Sequence, residues 1–236
     1  MILLLKKFFS SDKQYRLFLL LCLSTLLDFS LVGYRLIYVG FDPDEFSSVQ
    51  AIANSRSTTF MYLIWNLFLA WAPYLISLSL EKLPAKKLLA VPVLLAWLVF
   101  FPNAPYIVTD LLHVRYRYGV PLWYDVMTLF SFAWTGLMLG YLSLMEVQRF
   151  LEKRLEEKQA RALVWAAILL CSFGVYVGRY QRWNSWDLFT QPYQLFWEVA
   201  AVVTHPSAYL GTLGLAVVMS GVLGVGYLTL KTISND

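Results

Sequence analysis

Apolar stretches of about twenty residues recur along this chain, separated by short charged connections, and that spacing decides the fold class. A helix needs about 20 predominantly apolar residues to cross the hydrocarbon of a bilayer. The runs give about six such spans, near residues 17–39, 58–80, 88–108, 124–147, 162–180 and 208–230. Only helices and closed barrels satisfy their backbone hydrogen bonds in hydrocarbon, and runs this long exclude barrel strands of about ten residues. The sequence therefore predicts an all-α fold: a polytopic integral membrane helical bundle, with residues 1–236 as a single membrane domain. The low charge content, 14%, agrees, because a soluble domain carries about 25% charged residues.

The connections carry the orientation. Lys6, Lys7, Lys13 and Arg16 precede the first span, and Lys82, Lys86 and Lys87 follow the second. Arg149, Lys153, Arg154, Lys158 and Arg161 lie between the fourth and fifth. The intervening connections are poorer in lysine, with Asp42, Asp44, Glu45 and Arg56 in the first of them. Lys/Arg-rich loops stay in the cytoplasm, which predicts a multi-pass protein of the cell membrane with both termini cytoplasmic. The net charge of +4 is thereby read as a topology signal, with no nucleic-acid partner. Membrane lipid is the expected partner, alongside a homo-oligomer or membrane-protein contact.

Three stretches fall outside the spans. Ile2 to Leu5, before Lys6 and Lys7, is too short for a signal-peptide core and reads as a short interfacial segment. Met145–Ala160 is polar and helix-prone, and reads as a solvated extension of the fourth span with side-chain pairs at three- and four-residue spacing. Gln191–Val203 is apolar between Pro192 and Pro206 but too short to span; it reads as an interfacial or re-entrant helix on the outer side.

Small residues form stripes that let helices approach closely in lipid: Ala133, Gly136, Gly140 and Ser143 in the fourth span, Ala167, Cys171, Gly174 and Gly178 in the fifth, Ala216, Ser220 and Gly224 in the sixth. These read as intramolecular packing faces, with a homodimer seam as the alternative. Cys22 and Cys171 sit in apolar runs and read as small hydrophobes. Asp28 and Arg35 are ionisable residues of the first span. Arg35 can snorkel outward, whereas Asp28 lies deeper and needs a polar partner.

Polar residues gather in three motifs. The first is Phe101-Pro102-Asn103-Ala104-Pro105-Tyr106, continuing to Thr109-Asp110 and His113. Each proline removes a backbone donor and disfavours helix at the residue before it, so the third span should break here. Asn103 is suited to N-cap a second helical piece, on which Tyr106, Asp110, His113 and Arg117 would share a face. The second motif is Pro121-Leu122-Trp123-Tyr124-Asp125, where Asp125 complements a helix N-terminus. The third runs from Gly178 through Arg179, Arg182, Trp183, Asn184 and Ser185 to Asp187; Arg179 with Arg182, and Asn184 with Asp187, are spaced to meet on a helical face. On the expected topology the first and third motifs end on the non-cytoplasmic side. There Asp110, His113, Arg179, Arg182 and Asp187 are expected to converge on one polar pocket, because unpaired charge in apolar surroundings is costly.

The stretches FPNAPYIVTDL, PLWYD and RWNSWDL, in this order over residues 97–190, resemble a bacterial integral membrane family called domain of unknown function 1361. The resemblance implies membrane residence and points to these motifs; it implies no reaction.

Three functions are open to such a chain. In a membrane-embedded enzyme acting on a lipid or lipid-linked substrate, Asp110, His113 and Asp187 are the catalytic candidates, as acid and base or as weak metal ligands. In a transporter or binder of a small anionic ligand, Asn103, Tyr106, Arg179, Arg182 and Asn184 are the binding candidates. A scaffold protein would need only the packing stripes. The sequence specifies no cofactor and carries no metalloprotease, nucleophile-elbow or phosphate-loop motif.

Overall fold

The computed structural model describes residues 9–39, 60–82, 87–116 and 120–235. Ile2 to Leu5, Lys6, Lys7, Asp42, Asp44, Glu45, Arg56, Lys86 and Arg117 lie outside the described residues. The elements are α1 (Asp12–Val39), α2 (Met61–Leu80), α3 (Lys87–Phe100), α4 (Asn103–Tyr106) continued by a 3-10 helix (Ile107–His113), α5 (Leu122–Glu152), α6 (Glu157–Tyr180), α7 (Asp187–Thr190), α8 (Pro192–Thr204) with a 3-10 turn (Pro206–Tyr209), and α9 (Leu210–Asn235). Among the described residues the fold is all-α, without a sheet, and six helical stretches are long and apolar enough to cross a membrane. Their outward faces carry Leu23, Ile37, Phe68, Leu95 and Val217, a surface suited to lipid and not to water. The chain is a multi-pass membrane protein.

By internal contacts the chain divides into two compact units, one of residues 1–69 and 107–138 and the other of 70–106 and 139–236.

In the first unit a ladder of polar contacts joins α1 to α5. Ser24 and Thr135 share a hydrogen bond of 2.6 Å. Ser131 donates to Asp28 Oδ1 at 2.5 Å, and the Tyr124 hydroxyl donates to the carbonyl of Leu31 at 2.7 Å. Arg35 Nε donates to Asp125 Oδ1 at 2.9 Å. Residues 24, 28, 31 and 35 recur at helical spacing, so they share one face of α1, and their partners run from 135 and 131 back to 124 and 125 on α5, the antiparallel sense. Arg35 does not snorkel. Its side chain is 1% exposed, as is that of Asp125, and its guanidinium lies 4.5 Å from the centre of the Phe60 ring. A carboxylate within bonding distance and an aromatic face hold it more favourably than an outward reach would. Asp125, expected as a helix-dipole residue, is the partner of this buried cation.

In the second unit the break of the third span packs between α5 and α6. Beside Gly140 lie Ala104, Phe101 and Pro105. A Cβ added at Gly174 would stand 2.6 Å from Pro102 Cγ, and one at Gly178 would stand 3.3 Å from the Tyr106 ring. Trp97 donates to Ser143 at 2.6 Å, and Gly224 lies against Trp165. Members of all three small-residue stripes thus make intramolecular contacts. Because a proline ring cannot rotate away, Gly174→Ala is expected to cost about 1–3 kcal/mol through overpacking. Thermal unfolding in detergent should show the loss, while Gly214→Ala, which meets nothing within 4 Å, should leave the transition in place.

At one end of this unit the charged termini of the helices meet. Lys153 pairs with Glu81 at 3.0 Å, Lys231 approaches Glu152 at 3.8 Å, and Tyr227 bonds to Gln148. The polar stretch expected from Met145 to Ala160 is helical to Glu152, turns, and resumes at Glu157, with Glu146–Arg149 and Glu157–Arg161 pairs at the expected spacings. Helix α8 has 13 residues, about 20 Å at 1.5 Å per residue, too short to cross. Its Leu195, Val199 and Val202 pack on Phe173, Tyr176 and Val177 of α6, leaving Tyr193, Phe196 and Trp197 exposed.

Candidate functional site

The helix of the third span ends at Phe100, and the reason is chemical. Pro102 has no N–H for the carbonyl four residues back, and the chain turns through 101 and 102 before α4. The carbonyls freed by the turn find side chains. Ser185 donates to Val99 O at 3.0 Å. The Asn103 amide donates to Phe100 O at 2.9 Å and to Ser185 Oγ at 2.9 Å. Asn103 is expected to cap the following helix; it stands as that helix's first residue, and its amide N–H₂ donates back to the last carbonyl of the preceding one. The first and third motifs therefore meet as a stitch that closes the broken backbone. Removing either donor leaves a carbonyl without its partner, so Ser185→Ala and Asn103→Ala are each expected to cost about 1–3 kcal/mol. Their double variant should cost less than the sum, because they share one network; strict additivity in thermal unfolding would show two independent contacts.

The rest of the third motif is a tight turn. The helix α6 ends at Tyr180, and Gln181 N–H closes it on Val177 O. Arg182 follows with φ of 60°, the left-handed conformation that glycine usually supplies after a helix end. Arg179 and Arg182 therefore do not share a helical face, since the helix stops between them. Asn184 and Asp187 do meet: Asp187 Oδ2 accepts from Asn184 N at 2.7 Å and from its amide at 3.2 Å, while Oδ1 accepts from Thr190 at 3.2 Å. The buried Asp187 carboxylate is thus held by its own turn. Trp183 donates to Glu198 at 2.6 Å, fastening the turn to α8. Arg182→Gly is expected to raise stability by about 1 kcal/mol by removing the left-handed strain, read as a higher unfolding temperature.

Asp110 and His113 belong to the other unit. They lie on the 3-10 helix, where residues three apart eclipse. Asp110 is nearly enclosed, with 2% of its side chain exposed, whereas His113 is 41% exposed. Asn66 of α2 donates to Asp110 Oδ2 at 2.9 Å, and Oδ1 stands 3.7 Å from His113 Nδ1. The ring of Tyr62, one turn before Asn66, meets the His113 imidazole edge to face at 6.0 Å between centroids. The carboxylate is thus fixed on one oxygen by an amide and turns the other towards the imidazole, at a separation longer than a hydrogen bond. Sequence reasoning did not single out Asn66. Its signal was present: it is the lone amide side chain in the apolar helix α2.

The candidates accordingly divide. Asp110 and His113 form one constellation with Asn66 and Tyr62. Asn103, Tyr106, Asn184 and Asp187 belong to the stitched turn of the second unit, with Arg179 half-buried and Arg182 exposed at the end of α6. Among the described residues no group of three His, Cys, Asp or Glu side chains stands close enough to hold a metal ion.

Neither a curated protein nor a solved structure matches this chain. A family model described as "Protein of unknown function (DUF1361)" matches residues 65–222, a stretch that holds Asn66, Asp110, His113 and all three motifs. This multi-span helical protein belongs to the DUF1361 family.

Proposed function

We propose that the protein is a membrane-embedded enzyme that performs acid–base chemistry on a lipid or lipid-linked substrate at the non-cytoplasmic surface, with His113 as the proton-transferring group. The observation that carries this reading is the pairing of an enclosed, amide-anchored Asp110 with a half-exposed His113 at the end of a span. Asp110 accepting from Nδ1–H leaves Nε2 with a lone pair directed away from it, the arrangement a general base requires. The separation of 3.7 Å is loose for a hydrogen bond, as such contacts often are before substrate arrives. The anion-binding reading draws less support, because Arg179 lies in the last turn of α6, where a cation complements the negative end of the helix dipole.

The side of the membrane follows from the lysine-rich connections, supported by the meeting of Glu81, Lys153 and Lys231 at one end of the second unit. Both termini are cytoplasmic on this reading. An impermeant thiol reagent applied to intact cells should label Tyr116→Cys and miss Lys153→Cys in a background free of Cys22 and Cys171; the reverse pattern would invert the topology. The activity is tested by profiling lipids and lipid-linked intermediates of membranes from cells producing the wild-type chain or His113→Gln at equal levels. A species that appears or disappears with the wild-type chain and not with the variant supports the enzyme. Identical profiles, distinct from those of cells without the protein, would show a histidine-independent function.

A further inference from the structure

The α1–α5 ladder contains one group that the proposed chemistry does not use. Asp28 is fully buried. Its Oδ1 accepts from Ser131, but its Oδ2 has no hydrogen-bond partner among the described residues. Among the described residues the charged groups of the same seam are Arg35 and Asp125, bonded to each other about two turns, or 10 Å, farther along α1. Tyr124 is committed to Leu31 O, and Cys22 on α1 itself is a free thiol. An ionised carboxylate between two membrane helices without a cation beside it is strongly disfavoured.

Two ligands could neutralise it, a metal cation or a proton, and the seam distinguishes them. A hard cation gathers about six oxygens. Here Ser24 and Thr135 are bonded to each other, Thr135 also to Ser131 O, and Ser131 to Asp28. Among the described residues, the side-chain oxygen of this cluster left without a hydrogen bond is Asp28 Oδ2. A cation would have to share the hydroxyl oxygens already engaged in this network, whereas a proton needs Oδ2 alone.

We propose that Asp28 is an intramembrane proton-binding site, carrying a proton on Oδ2 while α1 lies closed against α5. Uptake forms one O–H bond at Oδ2, breaks one in the hydronium ion that delivers the proton and becomes water, and removes one negative charge from the carboxylate. Release creates an uncompensated anion, so it requires the seam to part and admit water. The charge state of Asp28 is in this way tied to the closure of α1 on α5.

The test is infrared spectroscopy of the full chain in lipid nanodiscs at neutral pH. The difference spectrum between the wild type and Asp28→Asn should contain the carbonyl stretch of a protonated carboxylic acid. A difference confined to carboxylate bands would overturn the proposal. Ser131→Ala serves as a second variant should Asp28→Asn fail to fold: loss of its hydrogen bond should move the same band to higher frequency, and an unmoved band would overturn the assignment. Thermal unfolding in sodium chloride against choline chloride at equal ionic strength closes the remaining route. Equal transitions are expected; a sodium-specific rise that Asp28→Asn abolishes would make the site a metal site and the proposal wrong.

Discussion

Replacing Arg35 by leucine is expected to destabilise the protein by about 3–5 kcal/mol, because it strands the Asp125 carboxylate in a buried seam without its cation. Asp125→Leu should cost a similar amount by stranding the guanidinium. The double variant is the informative one. With both charges gone, no group needs solvent, and leucines suit the surroundings, so stability should return to within about 1–2 kcal/mol of the wild type. Thermal unfolding of the four proteins in one detergent gives the coupling directly. Equal small losses for both single variants, about 0–1 kcal/mol, would mean that the pair is solvated and that Arg35 reaches water after all.

Replacing His113 by glutamine is expected to slow formation of the lipid product by about 10²–10⁴-fold, the usual contribution of a positioned acid or base. Glutamine keeps bulk and polarity but cannot shuttle a proton near neutral pH. Its unfolding transition should therefore stay close to that of the wild type, since His113 is half-exposed. Asp110→Asn should slow the same step for a different reason: an amide can donate to Nδ1 and so favour the opposite tautomer. A large loss of stability in His113→Gln, with activity per folded molecule unchanged, would make the histidine structural.

The spans, the break and the short α8 were legible in the sequence because each has a local cause. Length against bilayer thickness fixes a span, and Pro102 removes a donor wherever it stands. The partners were not legible, because pairing across about ninety residues leaves no local trace. Nothing near Arg35 announces Asp125, and nothing near Asp28 announces Ser131. In retrospect the four positions on α1 share a face, and so does a polar stripe on α5, but two stripes match only once the helices are set side by side. Asn103 was misread for a related reason. Capping rules look forward along the chain to the next helix, whereas a break in hydrocarbon frees carbonyls behind it, and those are the more urgent to satisfy. The expected common face of Tyr106, Asp110 and His113 was drawn for an α-helix; the chain narrows to a 3-10 helix at Ile107, which keeps Asp110 and His113 together at three-residue spacing.

The chain offers an internal control for the pairing of Asp110 with His113. It holds two histidines, and His205 is the more exposed, with its Nδ1 bonded to Thr204 at 2.9 Å. Diethyl pyrocarbonate acylates the unprotonated imidazole nitrogen, and mass spectrometry of peptides times the two sites separately. Accessibility alone would make His205 react first. An imidazole whose Nδ1–H is held by Asp110 carries its nucleophilic lone pair on Nε2, so His113 should react first, and Asp110→Asn should restore the order set by exposure. If His205 leads in the wild type and Asp110→Asn changes nothing, the carboxylate does not prepare the histidine, and the acid–base reading fails.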